Sequence, residues 1–139
     1  MKRVTVKQSA AERLRSFFPW VYRTDIQEAE GDAGGLVSVH APGGAFLGIG
    51  YINPASEISV RILSFFDVEI NRDFFRDRLL TAFRKREPLR ERTNARRLVH
   101  AEADELPGLI VDDYAGHLAV QVNTLGMETL RDLFLPELV

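Results

Sequence analysis

The 139-residue sequence contains no cysteine. That absence excludes disulfide bridges, thiolate metal sites and cysteine nucleophiles. No apolar run approaches the roughly 18 residues of a membrane-spanning helix, and the basic N-terminus is not followed by an apolar segment of signal-peptide length. These absences place the protein in the cytoplasm, with no membrane partner expected. Histidine is sparse: His40, His100 and His117 lie far apart and share no ligand spacing. No glycine-rich turn joins a strand to a helix. Gly48-Ile49-Gly50 comes nearest, but it lies within a strand-like stretch with no helix after it, so no cofactor loop is expected.

What is present suits one ordinary soluble domain or two small ones, with 45% hydrophobic and 27% charged residues. The net charge of −2 conceals an uneven distribution. Residues 1–68 carry seven basic and seven acidic side chains, residues 69–97 ten against five, and residues 98–139 one against eight. The overall charge argues against indiscriminate nucleic-acid binding, while the middle segment has the local positive charge that phosphates attract.

The clearest local structure lies in residues 96–124. Leu98 to Ala103 is expected to be extended, Pro107-Gly108 to form a type II turn, and Leu109-Ile110-Val111 to be a buried strand closed by Tyr114. Gly116 reverses the chain, after which Leu118, Val120 and Val122 alternate with polar or small neighbours as in a half-buried strand. The result is an antiparallel meander.

Earlier in the chain, Val4 and Val6 mark a first strand, and Ser9-Ala-Ala-Glu12 reads as a capping box opening a helix. Leu14, Phe17 and Phe18 give that helix an apolar face, and Pro19 ends it. Trp20 to Tyr22 reads as a strand, Glu28 to Gly35 as an acidic loop, and Leu36–Ala41 with Ala45–Ile52 as a hairpin about Pro42-Gly43-Gly44. Ile58, Val60 and Ile62 mark another strand, and the glycines at 48 and 50 suggest the bending of a small barrel. Strand periodicity then yields to a helix capped by Asn71, with Ile70 as its hydrophobic staple and Phe75, Leu79, Ala82 and Phe83 on one face, stopped by Pro88. Thr124 is placed to cap a last helix. The expectation is an α+β chain with a barrel-like domain over 1–68 and a smaller α+β domain over 69–139.

Two groups of residues are candidates for binding nucleic acid. Arg72, Arg76, Arg84, Lys85 and Arg86 belong to the basic segment, and Arg13, Arg15 and Arg23 lie around the first helix. Arginine forks onto phosphate and stacks on bases, while Trp20 and Tyr22 offer stacking faces to unpaired bases. The same arginines also fit a solvated helix face with intrahelical pairs, and the two aromatic rings also fit a core. Asp112-Asp113, even with Glu102 and Asp104 nearby, is a poor metal site, because adjacent strand residues point to opposite faces.

Several stretches resemble a known family in the same order along nearly the whole chain: FFPWVYRTDI at 17–26, FLGIGYINPASEISVRI at 46–62, DFFRDRLLTAFRKRE at 73–87 and RLVHAEADELPGLIVDDYAGHLAVQ at 97–121. They are similar to the N-terminal part of the S-adenosylmethionine-dependent 23S ribosomal RNA 5-methylcytosine methyltransferases. The wording departs from that family at Phe18-Pro19, where histidine-proline is expected, and at Glu105. The resemblance implies a PUA-like pseudo-barrel that binds RNA, followed by a central α+β domain, with ribosomal RNA as partner. It implies S-adenosylmethionine and a Rossmann-like catalytic domain in a longer parent and no cofactor in this chain. Methylation at cytosine C5 needs a thiolate to add at C6, which a chain without cysteine cannot supply. A fragment that recognises and positions RNA is therefore expected, with no catalytic, cofactor-binding or metal-binding residues of its own. The competing expectation is an interaction or homodimerisation module whose basic segment pairs with the acidic C-terminal part.

Overall fold

A computed structural model describes residues 1–89 and 94–138. Arg90 and Arg92, part of the basic segment, and Val139 lie outside the described residues. The chain divides into two compact units, Met1–Val68 and Glu69–Val139.

The first unit is a six-stranded sheet curled into a half-barrel, with one helix. Its elements are β1 (Lys2–Val6), α1 (Gln8–Arg15), β2 (Trp20–Tyr22), β3 (Ile26–Ala29), β4 (Leu36–His40), β5 (Phe46–Ile52) and β6 (Ile58–Ser64). The strand order is β2-β6-β5-β4-β1-β3. β1 runs parallel to β4, and every other pairing is antiparallel. The core gathers Val4, Val6, Ala11, Leu14, Val37, Val39, Ile52 and Val60. β5 and β6 meet so closely that a Cβ at Gly50 would fall on the Arg61 carbonyl oxygen. Glycine is required there for close backbone approach.

Three features of this unit correct the reading from sequence. The Ser9–Glu12 capping box does not form, because α1 starts earlier, with Lys7 as its N-cap and no side-chain cap. The Lys7 N–H donates to the Asp25 carbonyl at 2.8 Å, which fixes the chain just ahead of the helix and leaves Ser9 inside the first turn. The helix also ends before Pro19. Phe17 adopts a left-handed backbone (φ 67°), its N–H bonds the Leu14 carbonyl at 3.0 Å, and the Phe18 N–H bonds the Arg13 carbonyl at 3.1 Å. This is a Schellman motif with phenylalanine where glycine is usual, at a cost of roughly 1 kcal/mol. Phe17 is consequently 65% exposed and leaves the core face to Ala10, Ala11 and Leu14. Finally, the acidic loop begins as a strand: β3 pairs with β1, and tertiary hydrogen bonding overrides the weak strand propensity of Gln27 and Glu28.

The second unit comprises α2 (Arg72–Arg86), a three-stranded meander of β7 (Ala95–His100), β8 (Leu109–Tyr114) and β9 (His117–Val122), and two short helices, α3 (Leu125–Thr129) and α4 (Arg131–Phe134). The Asn71 side chain accepts the Phe74 N–H at 2.9 Å and the Thr124 hydroxyl accepts the Met127 N–H at 3.4 Å, so both expected caps are present. Phe75, Leu79, Ala82, Val99, Leu109, Val111 and Phe134 are buried. Gly108, at φ 83°, completes the expected turn, and a Cβ there would fall on the Thr124 side chain.

The first strand of the meander is displaced from the expected Leu98–Ala103. It ends at His100, and Ala101–Asp104 forms a 3-10 turn because the Asp104 carboxylate accepts the His100 N–H at 2.7 Å. β9 keeps its length and pairing but not its expected burial. Leu118 is 41% and Val120 36% exposed, because β9 is the edge strand and the apolar cover reaches only part of it.

Candidate nucleic-acid interface

In the first unit, the alternation along β2 brings Trp20 and Tyr22 around Phe18. The Phe18 centroid lies 6.0 Å from that of Trp20 and 6.2 Å from that of Tyr22. Two guanidinium groups stack on this cluster: Arg61 lies 5.5 Å from the Trp20 centroid and Arg13 lies 5.9 Å from that of Phe18. Arg13 also pairs with Asp25, a buried carboxylate that accepts the Tyr22 N–H at 3.0 Å. Arg23 donates to the Ala55 carbonyl at 3.1 Å beside an open pocket of about 230 Å³ lined by Tyr22, Arg23, Thr24 and Glu57. Arg15 is exposed and, among the described residues, has no ion-pair partner. The structure thus brings Arg13 and Trp20 into one aromatic–arginine cluster with Arg61, a residue the sequence reading passed over. Its only local signal was an arginine facing outward in an apolar strand.

In the second unit the arginines of α2 meet acids from later in the chain. Arg72 and Arg76 both grip Glu137, through Nε–oxygen contacts of 3.1 and 3.0 Å. Hydrogen bonding by Arg76 is the leading cause holding the Glu137 carboxyl below its ordinary range, aided by the charges of Arg76 and Arg72. Arg86 forks onto Asp104 at 2.6 and 2.8 Å, and Lys85 lies 3.5 Å from the same carboxylate. Burial alone pushes the Asp104 carboxyl up, but the Arg86 hydrogen bonds, the His100 N–H and the charges of Arg86 and Lys85 outweigh it and hold it low. Of the five candidates in this segment, Arg84 is exposed and, among the described residues, in no ion pair. The basic and acidic segments therefore neutralise each other within the unit to a large extent.

Asp112 and Asp113 are likewise engaged, the first by Arg97 at 2.8 Å and the second by Arg96 at 3.5 Å and the Gly116 N–H at 2.7 Å. Among the described residues no three His, Cys, Asp or Glu converge on a point. The Cβ positions of Gly48 and Gly50 face the backbone of β6, so both glycines serve the close approach of β5 to β6. No described helix is long and apolar enough to cross a membrane.

Residues 4–65 match the family model of the PUA-like domain. In an alignment 143 positions long that covers 99% of this chain, it is 37% identical to Ribosomal RNA large subunit methyltransferase I of Shewanella frigidimarina, of which the match covers 36%. The protein of the same name from Shewanella denitrificans is 38% identical over 142 residues, again with 36% of its length covered. The chain therefore spans about a third of these relatives. Among solved structures, a candidate SAM-dependent methyltransferase from Streptococcus mutans superposes with a TM-score of 0.88 at 18% identity, over 99% of this chain and 37% of that one. A candidate methyltransferase complexed with SAH gives 0.87 at 19% identity over the same shares. At these identities the likeness is one of fold.

Proposed function

We propose that this chain, whose residues 4–65 match the PUA-like domain model and which is similar over nearly its whole length to proteins named Ribosomal RNA large subunit methyltransferase I, is the RNA-binding, substrate-positioning N-terminal part of such an enzyme. The observation that carries this reading is the cluster in which Arg61 and Arg13 stack on Trp20 and Phe18. Aromatic faces and guanidinium planes together suit bases and phosphates of a partly unpaired RNA. Arg15 and Arg23 extend positive charge beside it, and Arg84, with the outer edge of Lys85, provides a second binding region in the other unit.

On this reading the division of labour follows from chemistry. Cytosine C5 attacks a methyl sulfonium only after a thiolate adds at C6, and S-adenosylmethionine would supply that methyl group. This chain has no thiol, and on this reading its residues bind and orient RNA and perform no step of the transfer. A protein three times as long would hold its target with these units while another part does the chemistry. Cytosine as the methylated base and the cytoplasm as the compartment belong to this proposal.

The test is binding of the full chain to a short ribosomal RNA hairpin and to duplex DNA of equal length across salt concentrations. RNA-preferring binding that weakens steeply with salt is the expected result. Failure to bind either nucleic acid, with the chain folded, would overturn the proposal.

A second reading, self-association, is favoured by one observation. β9 is an open, uncharged edge strand carrying exposed Leu118 and Val120.

A further inference from the structure

Phe17 combines two features that each count against its presence as packing. Its backbone is left-handed, a conformation that side chains with a Cβ adopt at a cost, and its ring is 65% exposed. Glycine at this position would complete the same Schellman motif without strain. The ring is nevertheless held in place. Phe65, half-buried against the core of the unit, meets it edge-on with centroids 5.2 Å apart and planes at 87°. This packing fixes the tilt of the Phe17 ring and leaves aromatic surface open to solvent.

Charge indicates what would cover it. Phe17 follows the last turn of α1, where the basic residues are Arg13 and Arg15, and Arg15 is exposed without an ion-pair partner among the described residues. A polyanion is favoured beside such a ring. Phe66, also exposed, follows Phe65 directly and is flanked by Asp67 rather than by an arginine, and its backbone is not left-handed, so the inference is confined to Phe17.

We propose that Phe17 is a stacking platform for one unpaired base of RNA, with Arg15 holding a phosphate of the same strand. This rests on the RNA-binding reading above and deepens it: the ligand must offer an open base face, which a duplex interior does not. The left-handed turn lifts the ring off the core face of α1 and towards solvent.

The experiment compares a labelled single-stranded oligoribonucleotide with an RNA duplex of equal length, by fluorescence anisotropy on the full chain. Phe17→Gly relieves the backbone strain, so its melting temperature should equal or exceed that of the parent, while affinity for the single strand falls roughly tenfold and duplex affinity is unchanged. Phe17→Asn, which also tolerates the left-handed region, should behave alike if the glycine variant folds poorly. Phe17→Trp should retain single-strand binding, since the indole offers the same stacking face. Unchanged single-strand affinity in the folded glycine or asparagine variant would overturn the inference, as would equal losses for single strand and duplex. A parent chain that binds no RNA would overturn the broader reading as well, so the two failures are distinguishable.

Discussion

Arg86 and Asp104 form a two-pronged ion pair at 2.6 and 2.8 Å, and the Asp104 side chain is only 1% exposed. The pair ties the end of α2 to the turn that ends β7. A carboxylate so enclosed is costly to leave without its cation, and the cation is costly to leave without it.

Asp104→Ala should therefore destabilise the second unit by about 3–5 kcal/mol, read as a lower denaturant midpoint. The pH dependence has a definite sign. Because the folded carboxyl titrates below its unfolded value, its contribution is present above the ordinary carboxylate range near pH 4 and is lost as pH falls through the lower folded value. The parent should lose stability in that acid window more steeply than Asp104→Asn, and identical acid profiles would contradict this assignment.

The same pair separates folding from RNA binding among the basic residues. Arg86→Ala should cost stability through its buried partner. Arg84→Ala and Arg15→Ala should leave stability within about 0.5 kcal/mol and lower the salt slope of RNA binding by about one for each phosphate no longer neutralised. If Arg84→Ala and Arg15→Ala leave both affinity and slope untouched, neither arginine binds phosphate.

Glu137 occupies the fork between Arg72 and Arg76 as a phosphate oxygen pair would. Glu137→Gln should release positive charge along α2 and give tighter RNA binding at low salt with a steeper salt slope. Acidification should mimic the substitution only below the ordinary glutamate range, since the two arginines hold this carboxyl low. Weaker RNA binding by the folded variant would show that the acid orders these arginines for their ligand.

The open edge of β9 supports a prediction about self-association. Leu118→Lys places a charge on an exposed edge strand and should abolish any concentration-dependent dimer seen by sedimentation, with little change in melting temperature. A dimer that survives the substitution would use another surface.

Local chemistry carried much of the fold into the sequence. Asn71 and Thr124 announce their caps, Pro107-Gly108 announces its turn, and the apolar spacing of Phe75, Leu79 and Ala82 announces the buried face of α2. What stayed hidden depends on partners distant along the chain. Nothing near Arg72 points to Glu137, 65 residues away, and nothing near Arg86 points to Asp104. The acidic β3 is a strand because β1 lies beside it, and Phe17 leaves the core face because backbone hydrogen bonds to Leu14 and Arg13 favour a left-handed turn. For the candidate interface, aromatic and basic composition was legible, but which arginines are already paired required the tertiary structure.

β1 lies inside its sheet, parallel to β4 and antiparallel to β3. During synthesis this first strand must wait for both neighbours, the second of which ends at His40, so Lys2 to Val6 leave the ribosome long before their hydrogen bonds can form. Lys2 to Val6 are thus the keystone of an arch whose other stones arrive later. Deleting them would expose the edges of two strands, β3 and β4, together.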